Sequence, residues 1–271
     1  MTKTQVRLAV ALIVLGLVIL ACSTVPLTGR KQLSLIPSSE MLAMSYQQYG
    51  EFLQTNKLTA NQKETQLVKG VGARIQKSVE DYMAQNNMSD RLQGYKWEFN
   101  TVESDEVNAW CMPGGKVVVY TGLLPVTQTE AGLAVVMGHE IAHAIAEHGG
   151  ERMSQVLLAQ LGGMALSAAL DKEPEQTKQL WLGVFGLGAQ LGVLLPYSRT
   201  HESEADHLGL IFMSMAGYNP NESVTFWQRM SQTKGGQAPP EFLSTHPSDE
   251  TRIAGLKSAI PEAMQYFRKP R

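Results

Sequence analysis

His139, Glu140 and His143 stand in the stretch "VVMGHEIAHAIAEHGG", in the pattern H-E-x-x-H. Residues four apart on a helix share one face, offset by about 40°. Two imidazoles in that relation can converge on one metal ion. Glu140 lies about 100° round from His139, poorly placed as a ligand but able to reach a water on the ion. Metal-assisted hydrolysis needs that arrangement, because zinc lowers the pKa of its water to about 7 and a carboxylate then takes the proton. A pair of histidines satisfied inside a core is the plainer alternative, and the complete H-E-x-x-H pattern weighs against it. Catalytic zinc takes three protein ligands and leaves a place for water, so a third must be sought elsewhere.

Spacing tests the candidates. The metzincin pattern needs glycine at position 146 and histidine at 149, where this chain has Ala146 and Gly149. On a continuing helix His148 is about 180° from His139 and faces away. The better source is "HESEADHLG", where Glu202 and Asp206 are four apart. Glu202 can supply the third ligand. Asp206 can accept a hydrogen bond from the second ring nitrogen of a ligand histidine and fix its tautomer. Glu204 falls about 200° from Glu202, on the opposite side. His201 and His207 are weaker alternatives for the ligand, and a solvated acidic face is the alternative for the whole run.

These groups need scaffolding. "TQTEAGLAVVMGHEIAHAIAEHGG" reads as one helix, with Thr127 and Glu130 at capping-box spacing and Gly149-Gly150 as its stop. Helical pattern begins near Ser38 or Ser39. Upstream of the metal motif, Leu67, Val71 and Ile75 mark one face of an amphipathic helix. "YKWEFNTV", "VNAWCM" and "KVVVYTG" read as about three strands, two of them closed by a turn at Pro113-Gly114-Gly115. "QLWLGVFGLGAQLGVLLPYSR" is expected to be buried or to line a cleft, with a membrane-facing lid as the alternative. The helix carrying Glu202 stops at Gly217 and Asn219-Pro220, and the last helix is expected to be capped near Ser248. The fold class is α+β and mainly α-helical, with a small sheet beside the active-site helix. No repeat and no second core is visible, so residues 38–271 read as a single domain.

The N-terminus has another character. Lys3 and Arg7 precede an unbroken apolar run from Leu8 to Ala21, which ends at Cys22. Fourteen residues are short for a membrane span of about 20, and the run has the regions of an export signal. "ILAC" is similar to a lipobox, in which the cysteine is acylated. Residues 1–21 are therefore expected to be a lipoprotein signal peptide and 22–37 a lipidated tether on Cys22, facing the periplasm from a bacterial outer membrane. An uncleaved signal anchor is the alternative. The chain has only two cysteines; with Cys22 acylated, Cys111 has no intramolecular partner, so stability must come from the core. A composition of 44% hydrophobic and 18% charged residues fits a packed domain, and a net charge of −2 offers no basic surface for nucleic acid.

Taken in order, "NAWCMPGGKVVVYTGLL", "GHEIAHAIAEHGGERMS", "ESEAD" and "STHPSDETR" resemble the gluzincin zinc metallopeptidases that include HtpX and the CAAX prenyl endopeptidases. The likeness covers most of residues 40–260. "C-x-x-x-P-L-T-G-R-K-Q-L" is similar to the tether of the family's periplasmic lipoprotein branch. The resemblance implies one zinc ion, His139, His143 and Glu202 as its ligands, and Glu140 as general base. It implies an endopeptidase that cleaves unfolded or misassembled envelope proteins. The strand edge at Asn108, Ala109 and Trp110 would hold an extended peptide. His246 and Arg252 are candidate donors to the oxyanion. His246 could instead fill the open coordination place and keep the enzyme latent, or cap a helix. Two other functions remain open: an outer-membrane assembly factor with secondary protease activity, and a zinc amidase acting on cell wall.

Overall fold

The computed structural model describes residues 22–25, 28–171, 174–190, 195–232, 242, 246 and 250–267. The expected signal peptide, residues 1–21, and the expected cap at Ser248 lie outside these residues. In chain order the elements are β1 (Cys22–Thr24), β2 (Lys31–Leu33), α1 (Ser38–Thr55), α2 (Gln62–Gln85), β3 (Glu98–Val102), β4 (Ala109–Met112) and β5 (Lys116–Tyr120). Then come α3 (Leu124–Thr127), α4 (Glu130–Ile145), α5 (His148–Ala169), α6 (Glu175–Ala189), α7 (Leu195–Met215), α8 (Glu222–Gln232) and α9 (Glu250–Ala263). They group into two compact units, Met1–Glu40 with Glu147–Arg199 and Met41–Ala146 with Thr200–Arg271.

In the first unit the expected tether has structure of its own. β1 pairs antiparallel with β2, Cys22 opposite Leu33, and Gly29 takes the positive φ of 68° that the connecting turn requires. Arg30 makes a forked ion pair to Glu151 at 2.7 and 3.0 Å. Helices α5 and α6 pack together, with the Phe185 ring against Gly162. The expected burial of α6 does not hold. Its partner helix covers the side that carries Phe185, while Leu180, Trp181, Val184 and Leu187 are exposed. Among the described residues no helix is long and apolar enough to cross a membrane.

The second unit is built on the three-stranded sheet, in the order β3-β5-β4. β5 is buried along its length and runs parallel to β3 and antiparallel to β4. The turn from β4 to β5 uses Gly114 and Gly115 at φ of 86° and 78°, a backbone that residues with a Cβ avoid. Helix α2 is capped by the Asn61 side chain and buries Val68, Val71, Ile75 and Val79, with Leu67 half-buried at the margin. Helix α4 packs on β4 and on α2, so the metal motif lies beside the edge strand.

The bounds of α4 differ from those expected. The cap is Thr129, whose hydroxyl accepts the Gly132 N–H at 3.0 Å. Thr127 closes the short α3 instead, its hydroxyl on the Leu124 carbonyl at 2.9 Å. At the other end the chain leaves the helix at Ala146 and Glu147 takes a left-handed φ of 58°. Gly149 and Gly150 lie within α5, so His148 belongs to a different helix from His139.

One contact fixes α4 against α7. A Cβ on Gly209 would lie 2.9 Å from the His139 amide nitrogen, and a Cβ on Gly138 would lie 3.0 Å from the Gly209 carbonyl oxygen. Both clashes are with backbone, which cannot swing aside. Gly209→Ala should therefore destabilise the fold by about 1–3 kcal/mol. Gly70→Ala, on α2 with nothing within 4 Å of the added carbon, should stabilise it by about 0.5–1 kcal/mol. Urea denaturation of the two variants checks both; equal effects would refute the contact's importance.

Candidate metal centre

His139 and His143 are one turn apart on α4, with their Nε2 atoms 3.1 Å apart. Glu202, on α7, places Oε2 3.4 Å from His139 Nε2 and Oε1 3.3 Å from His143 Nε2. His246 brings Nδ1 to 3.1 Å from His139 Nε2 and to 2.9 and 3.0 Å from the Glu202 oxygens. These four side chains form a group whose ligand atoms all lie within 4.8 Å of one another. Zinc bonds of 2.0–2.1 Å in a tetrahedron give ligand separations of about 3.3 Å. The donor set of imidazole nitrogens and a carboxylate, converging at that spacing, fits zinc. His148, His201 and His207 are not in the group; His207 bonds to Glu262 at 3.0 Å.

Around the donors are groups that orient them. Asp206 Oδ1 is 2.9 Å from His139 Nδ1, so Nδ1 keeps a proton and Nε2 is the nitrogen available to a metal once its own proton has left. Glu204 is buried, and the side chains of Glu202 and Asp206 are only 15% and 11% exposed, which rules out a solvated acidic face. Arg252 reaches Glu202 Oε2 at 3.1 Å and Asp206 Oδ1 at 2.6 Å. Its guanidinium lies over the Trp227 ring, 3.5 Å from the centroid. The expected oxyanion donor is thus turned toward the Glu202 and Asp206 carboxylates. Trp227 and Phe242, which stack with ring centroids 5.6 Å apart, were not singled out in the sequence. Nothing in their spacing marks them, since "FWQRM" reads as an ordinary helical core stripe.

Glu140 is buried, and its Oε1 makes no hydrogen bond among the described residues; His246 Nε2 lies 3.5 Å away. Burial raises its pKa above the usual carboxylate range, against the pull of the nearby His246 and His139 charges. For Glu202, burial works upward too. Hydrogen bonds from His139, His143 and His246 outweigh it and hold the carboxyl far below its ordinary range. Burial also pushes up the thiol of Cys111, with the Glu140 charge adding to it, so it has no thiolate character for nucleophilic attack.

β4 lies at the sheet edge beside α4. The Asn108 carbonyl accepts the Tyr120 N–H at 3.1 Å. By antiparallel alternation the backbone groups of Trp110 and Met112 also face β5, and those of Ala109 and Cys111 face outward. The Ala109 N–H is held by Asn108 Oδ1 at 2.9 Å. The Trp110 ring is packed inside an aromatic cluster with Tyr49 and Phe52. The edge therefore presents its main chain through Ala109 and Cys111 instead of Asn108 and Trp110.

A model of peptidase family M48 matches residues 71–260. The chain belongs to peptidase family M48. The mitochondrial metalloendopeptidase OMA1 of Schizosaccharomyces pombe is 38% identical over 183 residues, 67% of this M48 chain and 50% of that protein. The human mitochondrial metalloendopeptidase OMA1 is 30% identical over 248 residues, covering 89% of this chain and 46% of its own length. The beta-barrel assembly-enhancing protease of Yersinia pestis is 31% identical over 166 residues, 60% of this chain and 34% of that protein. The chain spans about half the length of the OMA1 relatives it matches. These relatives support the family, but not the narrower HtpX and CAAX-prenyl grouping or a lipoprotein branch. The expected bacterial outer-membrane address is overturned. The OMA1 matches at 30–38% identity are named as mitochondrial proteins and point away from a bacterial envelope.

The geometry of this M48 centre predicts how metal and protons compete. Burial and the Arg252 charge lower the His139 pKa, but hydrogen bonds to Asp206 and Glu202 outweigh them and leave it at about 9. His139 is then protonated at neutral pH in metal-free protein, and a ligand must be neutral. Zinc binding at pH 7 should release a proton, and zinc affinity should climb as pH rises toward 9. The same raised pKa stabilises the metal-free fold below pH 6.5, and that stabilisation is lost as pH rises through about 9. Calorimetric titration of the metal-free protein in buffers of different ionisation enthalpy measures the release. Zinc uptake at pH 7 with no proton exchanged would contradict this account.

Proposed function

We propose that this chain is a zinc metalloendopeptidase acting on extended, unfolded polypeptide. The observation that carries the reading is the convergence of His139, His143 and Glu202 beside a buried carboxylate, Glu140, whose Oε1 has no hydrogen bond among the described residues. In this reading His139, His143 and Glu202 hold the zinc. The bound ion supplies polarisation of the scissile carbonyl and a more acidic water. Glu140 accepts the proton as the water oxygen bonds to the carbonyl carbon, and passes it to the amine nitrogen as the C–N bond breaks. Its pKa, raised by burial, suits that exchange better than an ordinary glutamate's. The outward groups of Ala109 and Cys111 on β4 pair with the substrate main chain, which gives affinity with little regard to sequence. The peptide displaces the Asn108 side chain from the Ala109 N–H.

His246 supports a resting role. With Nδ1 among the donors and Nε2 toward Glu140, it stands where water and substrate carbonyl must enter. The Phe242 N–H also bonds to the Val107 carbonyl at 3.3 Å, which ties Phe242 to the approach to β4. His246 must leave before peptide is cut, so it acts as a latch. A family match to peptidases removes the ground for the wall-amidase alternative. The likeness to the beta-barrel assembly-enhancing protease of Yersinia pestis supports an added role in assembly.

Digestion of casein and metal analysis test this. Glu140→Gln should keep its zinc and lose about 10²–10⁴-fold in turnover. Glu202→Ala should lose zinc. His246→Ala should retain zinc and cut casein faster than the parent. A parent chain that holds zinc yet cuts no unfolded protein, alone or as His246→Ala, would refute the peptidase reading. Slower cutting by His246→Ala would refute the latch.

A further inference from the structure

We propose that Arg252, seated on the Trp227 ring, is a positioning residue that holds the Glu202 and Asp206 carboxylates in register for the metal. The proposal rests on the reading that the cluster binds zinc. One guanidinium joins the two acids: Nη1 to Glu202 Oε2 at 3.1 Å and Nη2 to Asp206 Oδ1 at 2.6 Å. Nη2 is also 3.2 Å from His139 Nδ1. The acids are one turn apart on α7, so their charges repel across a short gap, and each side chain has several rotamers. A single bridging cation removes the repulsion and selects one rotamer for each. Glu202 then offers its oxygens to His139 and His143 before any metal arrives, and Asp206 stays on the far nitrogen of His139.

The platform under the guanidinium explains why the residue is arginine. Trp227 is completely buried and presses one face toward Arg252 at 3.5 Å from the ring centroid, while Phe242 stacks on it with an interplanar angle of 20°. A planar cation lies flat on such a ring, and its forked N–H groups reach two carboxylates at once. Lysine has the charge but neither the plane nor the fork. The Arg252 side chain is only 6% exposed, and it contacts Glu202, Asp206 and His139 of the candidate centre. It therefore acts on metal binding through Glu202 and Asp206 without touching substrate.

Charge and position predict opposite results. A buried positive charge beside the centre repels a divalent cation, so by charge alone Arg252→Gln would bind zinc more tightly. By positioning, removal frees the ligand carboxylate and binding weakens, by tenfold or more when such supporting contacts are lost. The experiment measures zinc affinity of the metal-free full chain by competition with a chromophoric chelator, for the parent, Arg252→Gln and Arg252→Lys. Circular dichroism melting of each metal-free protein runs alongside. The expected result is a loss of at least tenfold in both variants, with Arg252→Lys melting within a few degrees of the parent. Affinity within threefold of the parent, or tighter, in either folded variant overturns the proposal. If Arg252→Gln does not fold, Arg252→Lys decides alone. If neither folds, the residue is a fold determinant and the proposal is likewise overturned. A parent chain that binds no zinc is a separate result, and it sinks the proposed function itself.

Discussion

Two helix backbones touch at Gly138 and Gly209, and the metal centre depends on that touch. His139 follows the first glycine directly, and Glu202 and Asp206 lie on the turns of α7 that lead to the second. With side chains at the crossing, the helices would stand apart by the width of a methyl group or more. A glutamate on one helix could not then meet histidine nitrogens on the other at 3.3–3.4 Å. Buried Ala205 and Ala142 keep the same small-residue character next to the contact. The chemistry belongs to large polar side chains, but its geometry is set by residues that have almost none.

The buried charges also close on themselves. Glu140, Glu202 and Asp206 bring carboxylates, and Arg252 brings one guanidinium. Three acids against one base leave a deficit of two positive charges, the charge of a zinc ion. Burying an uncompensated carboxylate is costly, so the metal-free centre recovers part of the deficit by protonating His139. Metal and proton are alternative answers to the same electrostatic demand.

The motif that carries the chemistry was legible in the sequence, because H-E-x-x-H and E-x-x-x-D each depend only on helical period. The sheet was legible for a similar reason, since Pro113-Gly114-Gly115 can hardly be anything but a turn. What sequence could not give was the relation between elements. Whether α7 approaches α4 closely enough for Glu202 to reach His139 depends on a glycine crossing invisible to periodicity. Thr127 has the capping-box spacing to Glu130 on paper, but it closes the short α3 and Thr129 caps α4 instead. The left-handed Glu147 ended α4 before the glycines expected to end it, so an angle calculated for His148 on one continuous helix had no meaning. Arg252 was expected to donate to the oxyanion, but it is turned to Glu202 and Asp206 and lies over Trp227, a residue that looked like core and nothing else.

The edge strand β4 is four residues long, about 13 Å of extended chain. An open strand edge is an invitation to any other strand, including one from a second copy of the same protein, and that invitation ends in aggregation. Here the edge is kept to a length that offers outward backbone groups at only two residues, Ala109 and Cys111, with the side chain of Asn108 resting on the first. If the proposed function holds, this strip is where an unfolded chain pairs, and its shortness leaves little edge for a second copy to extend. The same brevity that limits unwanted pairing also limits how many main-chain bonds any one partner strand can make here.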